Sequence, residues 1–352
     1  MKTFAVCCFA PMWIVAFLSS SRAIAQTYTS PEEAGLIYRF QGEYMGVIDA
    51  WGGTWGAQVV ATSEKSVSVH LLEGGLPGQG FEGGSPSKEF ASELSADKNK
   101  MESTHDDCFV IVEPETLTVK STDGKELGIL TKIVRESKTL GANPPDNAVV
   151  LFNADGINNF TDGKTTGDGF LTVGCTSTEL MGDHSMHIEF RTPFQPNDSG
   201  QGRGNSGVYI QGRYEVQVLD SFGLVGEDNE CGGIYQIARP KTNMCYPPLT
   251  WQTYDIDFTE AKYSPAGQKT STAKVTIKHN GIVIHEDLEL PKQTPGKDIE
   301  SDSPGPVYFQ DHGNPVVFRN IWISPLSPSE KAVIGNPKVR PGPKAASPIQ
   351  KD

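Results

Sequence analysis

The chain has 352 residues, with 43 acidic side chains against 30 Lys and Arg, a formal net charge of −13, and 37 Gly and 24 Pro. That acidity argues against nucleic acid and anionic membrane as partners, since both need basic surface, and is indifferent to an uncharged sugar. About 325 residues beyond a short leader suffice for two modest domains with a core in each.

Residues 1–25 read as a signal peptide. Lys2 gives a basic start, an apolar run covers 4–18, and Ala23-Ile24-Ala25 is a small-x-small site that predicts cleavage after Ala25. The run is too short for membrane insertion, and no later segment could cross a bilayer. Cys7 and Cys8 lie inside the run, which does not fit a lipid-anchored Cys. A secreted or periplasmic protein is expected, with a mature charge of −15 once Lys2 and Arg22 are removed. Of the four remaining cysteines, Cys231 and Cys245 are a disulfide candidate in an oxidising compartment. The sequence does not pair Cys108 with Cys175.

Short alternating or apolar runs bounded by turn residues follow at 56–61, 66–72, 108–112, 116–120, 187–192, 274–279, 282–286 and 316–323. This is an all-β pattern. The Gly-rich segment 74–85 lacks a following Gly-Lys-Ser/Thr and a helix, so it reads as a long hairpin loop. Two prolines in Gly141-Ala-Asn-Pro-Pro-Asp146 mark a boundary. Residues 27–142 are expected to form a smaller β-rich domain and 147–324 the main domain. A Pro-rich mobile tail is expected over 325–352.

The most informative stretch is 204–220. Val208 and Ile210, then Tyr214, Val216 and Val218, alternate onto one parity of two short strands, with the turn expected at Gly212-Arg213. Tyr209, Gln211, Glu215 and Gln217 hold the other parity. A row of Tyr, Gln, Glu and Gln suits a groove that hydrogen-bonds hydroxyls.

Four segments carry a family resemblance: Val149-Val-Leu-Phe-Asn-Ala-Asp-Gly156, the 204–220 hairpin, Trp251-Gln-Thr-Tyr-Asp-Ile256, and Gln310-Asp-His-Gly-Asn-Pro-Val-Val-Phe-Arg-Asn-Ile-Trp-Ile323. In this order the chain resembles the 3-keto-disaccharide hydrolase domain family over about 147–324. The resemblance implies a concanavalin A-like antiparallel β-sandwich, or jelly roll, with a carbohydrate-holding concave face. It also implies action on glycosides whose C3 hydroxyl is already a ketone. Where the family often has a tryptophan in the opening motif, this chain has Phe160.

On a 3-keto sugar the C2 proton is acidic, and its removal gives an enolate that can expel the C1 group before water adds. Such a hydrolase or lyase needs a base near C2, an electrophile on the ketone oxygen and an acid for the leaving oxygen. Glu215, the one carboxylate on the polar parity, is the candidate base; pairing with Arg203 or Arg213 is the bland alternative. His312 is the candidate proton shuttle, with Asp311 orienting it or capping a turn. Arg203, Asn205, Gln211, Gln217 and Arg319 are candidate hydroxyl or oxyanion partners. Tyr209 and Tyr235 offer flat faces to the sugar, and Trp251 reads as core. No cofactor is required by this scheme, although a divalent metal ion on Glu215, Asp220 and His312 could polarise the ketone.

Two rivals remain open. A glucanase-type glycosidase would need two carboxyls across the scissile bond. Glu215-Val-Gln-Val-Leu-Asp220 mimics the glucanase spacing, but Glu215 and Asp220 have opposite parity in an unbroken strand. A non-catalytic lectin-like module would use the same aromatics and amides for binding alone. The partner in every reading is an oligosaccharide or glycoside; the sequence does not fix the oligomeric state.

Overall fold

The computed structural model describes residues 26–326 apart from Ser85 and Asp106, and also the backbone of Val333 and Ile334. The expected signal peptide and nearly all of the expected tail lie outside the described residues. Regular structure among the described residues is almost wholly β, with a four-residue α-helix at Gly35–Tyr38 and a short 3-10 helix at Gly200–Gly202.

Eight antiparallel strands between Gly42 and Ile133 close into a barrel. Period-2 alternation builds it: Val67, Val69 and Leu71 of Ser66–Glu73 are buried inside, as are Cys108, Val110 and Val112 of Cys108–Val112. Closure joins Gly42–Ile48 to Glu126–Ile133 along a six-residue register. The Gly-rich segment does connect two paired strands, Ser66–Glu73 and Lys88–Leu94.

The second body is a concanavalin A-like sandwich. Its larger sheet runs Val149–Phe152, Val317–Pro325, His184–Arg191, Gln252–Thr259, Ala273–His279, Ile282–Leu290, with Leu171–Thr172 also paired to Val317–Pro325. The smaller sheet runs Phe160–Thr161, Cys175–Ser177, Tyr308–Phe309, Ser206–Ile210, Tyr214–Val218. Val208, Ile210, Tyr214, Val216 and Val218 all enter the core between the sheets, as the alternation predicts. Phe309 of one sheet and Phe318 of the other stack there with ring centroids 4.0 Å apart. Beyond the sheets, Val333–Ile334 pair with Glu179–Leu180.

The two bodies share a polar seam. Arg203 reaches from the sandwich to Ala61 O of the barrel, 2.8 Å away, and His70 Nδ1 of the barrel meets Gly223 O at 3.0 Å. The linker after the barrel crosses the outer face of the larger sheet. There Thr139 donates to Asp255, and Gly141 N donates to Glu189 at 2.6 Å.

Candidate active site

The 206–218 hairpin turns one step earlier than expected, at Gln211-Gly212. Both residues have positive φ (54° and 71°), and Arg213 N donates to Ile210 O at 2.9 Å, as primed hairpin turns require. Register then lines up the outward face of the smaller sheet. Thr176 pairs with Tyr308, Tyr308 with Tyr209, and Tyr209 with Glu215, so four side chains from four strands form one row.

Although this row faces away from the core, its Glu215 end is covered. Thr294 Oγ1 accepts from Glu215 N at 2.9 Å, and Pro295 O accepts from Tyr209 Oη at 3.1 Å, so the 294–295 segment lies over the hairpin. On the far edge Tyr235 N donates to Glu215 O. Tyr209 and Glu215 are consequently only 1% and 3% exposed.

The Tyr209 hydroxyl donates to Glu215 Oε2 at 2.8 Å, and Gln310 Nε2 reaches the same hydroxyl at 3.4 Å. Among the described residues Glu215 Oε1 accepts no hydrogen bond, yet it is not one of the fully enclosed polar atoms, so it keeps access to an incoming group. It lies over Gly207, where a Cβ would collide with it. Burial pushes the Glu215 carboxyl from 4.5 up to about 7; the Tyr209 hydrogen bond opposes the shift only in part. At neutral pH such a carboxyl can take or give a proton.

At the other end of the row, Lys297 Nζ stands 3.8 Å from the Tyr308 ring centroid and bonds Thr176 Oγ1. Tyr308 and Tyr209 meet with centroids 5.5 Å apart. The sequence reading did not single out Tyr308, Gln310, Thr176 or Lys297 as site residues. Tyr308 and Gln310 share a strand parity that could have flagged them; Lys297 comes from an irregular loop with no such signal.

A family model described as the 3-keto-alpha-glucoside-1,2-lyase-like domain matches residues 121–324. The chain belongs to this family. Membership of the lyase-like family places the protein among glycoside-processing proteins, and the match begins inside the barrel rather than at the Pro-Pro boundary. Among curated proteins none matches. Three solved structures from Parabacteroides distasonis ATCC 8503, each provisionally assigned as a glycosyl hydrolase, are similar. The first is 30% identical, with 52% of this chain and 85% of that chain covered and a TM-score of 0.47. The second is 21% identical, covering 51% and 100%, and the third 16%, covering 55% and 99%; both have a TM-score of 0.36.

In this lyase-like domain the other expected site residues fall in several places. Asn205 and Gln217 are buried and bond each other, Gln217 Nε2 to Asn205 Oδ1 at 2.7 Å, which braces the hairpin. Tyr235 stays half-buried beside Tyr209. His312 is exposed two residues past Gln310 and makes no hydrogen bond or ion pair among the described residues; Asp311 caps the turn by accepting from Gly313 N.

Several expectations are corrected. Arg203 is spent on Asp220, Nε to Oδ2 at 2.6 Å, inside the seam with the barrel. Gln211, in the turn, donates to Met181 O and accepts from Arg213. Arg319 belongs to the larger sheet, where it pairs with Glu189 and stacks 4.0 Å from Trp251, which is half-buried rather than core. Glu215, Asp220 and His312 do not form a metal cluster, because Asp220 is turned into the Arg203 pair; among the described residues no group of three ligands does. Cys231 and Cys245 are not disulfide-bonded, nor are Cys108 and Cys175, but the buried Cys231 and Cys245 thiols lie within hydrogen-bonding reach of each other. Cys231 Sγ meets Tyr254 Oη at 3.2 Å, and Cys245 Sγ donates to Leu219 O.

Proposed function

We propose that the protein is an exported enzyme that cleaves 3-keto-glycosides by abstracting the C2 proton and expelling the C1 group. The observation that carries this reading is Glu215: a covered carboxyl near neutrality, with one oxygen unengaged, on a hydroxyl-lined row of the sheet. Ionised Glu215 takes the C2 proton, and the electron pair of that bond delocalises onto the ketone oxygen as an enolate. Collapse of the enolate forms the C1–C2 double bond and breaks the bond from C1 to the leaving oxygen, which receives a proton from His312. Addition of water at C1, with the proton returned to C2, would complete a net hydrolysis; release of the unsaturated ketone would make the enzyme a lyase.

Asp220 favours this over two-carboxylate hydrolysis. Its carboxylate is committed to Arg203, so Asp220 is not available as the second acid across a glycosidic bond. The signal peptide at 1–25 motivates the export part of the proposal.

The test is incubation with a 3-keto-glucoside beside its unoxidised parent in deuterated water. The expected result is aglycone release from the ketone alone, with deuterium entering C2 of the substrate or hydrated product. Release from the parent alone would overturn the reading. Sequencing the N-terminus of secreted material, with Gln26 expected first, tests export.

A further inference from the structure

Residues 291–307 join Ile282–Leu290 of the larger sheet to Tyr308–Phe309 of the smaller one, and on the way they cross the hairpin as a strap. Thr294 N donates to Arg213 O at 2.9 Å and Asp298 N to Gly212 O at 2.8 Å. Between these two bonds Gly296 lies on the Tyr209 ring, where a Cβ would stand 2.3 Å from Cε1. This is the cover that leaves Tyr209 and Glu215 almost unexposed. Ile299, farther along the strap, is 80% exposed, so the cover is thin there. An irregular segment has no ladder of its own to hold it, and its place over the row depends on side chains.

Two side chains clamp it. Arg213 follows the Gln211-Gly212 turn and is buried. Its Nη1 donates to Gln211 Oε1 at 2.8 Å and Ser301 O at 3.1 Å, and its Nη2 to Ser301 Oγ at 2.7 Å and Ser303 O at 2.9 Å. One planar fork thus ties the hairpin turn to the strap, and a rigid fork fits such an array in one geometry only. Glu300 is the second clamp. Tyr214 of the hairpin donates to its Oε2 at 2.7 Å and Tyr263 to its Oε1 at 2.5 Å. Lys269 pairs with the same carboxylate and donates to Pro291 O, at the start of the strap, at 2.8 Å. Neither clamp is hydrogen-bonded to Glu215 itself.

We infer that Arg213 and Glu300 are positioning residues that act on Glu215 through the strap, clamping residues 294–296 over the row so that water stays off the base. This rests on the reading of Glu215 as the base. The titratable and charged groups around its carboxyl are Tyr209 and Tyr308 in the row, Tyr235 at the hairpin edge, and Lys297 and Asp298 in the strap. Burial acts on the carboxyl most, and the Tyr209 hydrogen bond opposes it. With the strap unclamped, water solvates the carboxylate and the carboxyl falls from about 7 back toward 4.5. The sign separates this from direct electrostatics. Acting through space, loss of the Arg213 charge could only raise a carboxyl, whereas loss of the cover lowers it.

The test titrates Glu215 in the full chain without substrate, by carbon-13 NMR of glutamate carboxyls, with Glu215→Gln identifying the signal. In Arg213→Met the midpoint should fall by about one unit or more. The charge-neutral double variant Ser301→Ala, Tyr263→Phe removes one bond from each clamp at partly exposed positions. It should lower the midpoint in the same direction, and it decides the matter if Arg213→Met does not fold. The rising limb of the pH–rate profile on a 3-keto-glucoside should move with the NMR midpoint. A shifted midpoint in a protein whose wild type does not turn over the 3-keto-glucoside upholds the clamp and sinks the 3-keto reading. The inference is overturned if melting temperatures fall while the midpoint stays, since the clamps are then merely structural. It is also overturned if the midpoint rises in Arg213→Met, or if wild-type Glu215 titrates near 4.5.

Discussion

Replacing Glu215 by Gln should abolish turnover and, above pH 7, stabilise the fold. The Glu215 carboxyl rises from 4.5 to about 7 because burial disfavours its charge, and at ~1.4 kcal/mol per unit this amounts to about 3 kcal/mol. The folded state binds the proton more tightly than the unfolded chain. Its contribution to stability is therefore complete below about pH 4.5, falls as pH rises to about 7, and is absent above. Gln carries no charge and can still accept from Tyr209. The stability of Glu215→Gln relative to wild type should be near zero at pH 4 and climb by about 3 kcal/mol by pH 8, roughly 6–12 °C in melting midpoint for a domain of this size. Paired thermal and urea melts from pH 4 to 8 measure it. A difference that stays flat across that range, or a variant less stable at pH 8 than at pH 4, would refute the claim that Glu215 is held near neutrality by burial. In wild type the same ionisation should appear as activity rising through about pH 7.

Tyr209→Phe removes the one hydrogen bond that holds the Glu215 carboxyl down, so the midpoint of its pH–rate profile should move to higher pH. An unmoved or lowered midpoint would count against that coupling. Gly207→Ala places a methyl where Glu215 Oε1 lies; kcat should drop at least tenfold, while the far-UV spectrum is unchanged and overpacking costs about 1–3 kcal/mol. Arg203→Met leaves Asp220 buried without its partner and should cost about 3–5 kcal/mol in urea unfolding. Much of that loss should return in the Arg203→Met, Asp220→Asn double variant, and an additive loss would contradict the pairing.

Strand periodicity made the hairpin legible in advance. Val208, Val216 and Val218 could face only one way, and that placed Tyr209 and Glu215 together on the other side. The sandwich strands near 187–192, 274–279 and 316–323 were legible for the same reason. Barrel closure was not, because it depends on Gly42–Ile48 meeting Glu126–Ile133 across the whole intervening chain. Lys88–Leu94 also hides its strand character, since Lys88 and Ser92 interrupt Phe90 and Leu94 on its inward parity. Long polar side chains were the least legible. Arg203 and Arg319 looked available in sequence, but their carboxylates arrive from Asp220, just past the end of Tyr214–Val218, and from Glu189 in the strand beside that of Arg319. A guanidinium follows its carboxylate, and no local pattern reveals which carboxylate that is.

The same hairpin carries two acids whose environments separate them. Asp220 and Glu215 are five positions apart, Glu215 within Tyr214–Val218 and Asp220 two residues past its end. Asp220 meets Arg203 and becomes part of the seam. Among the described residues Glu215 meets no cation; it meets a phenol, a glycine and the 294–295 segment, which keep water away without supplying positive charge. Desolvation without compensation raises a carboxyl, whereas desolvation beside a guanidinium yields a stable ion pair. Base strength at Glu215 thus depends on what the fold withholds from it. An added positive charge near Gly207 would lower the carboxyl and weaken it as a base, even though every catalytic atom stayed in place.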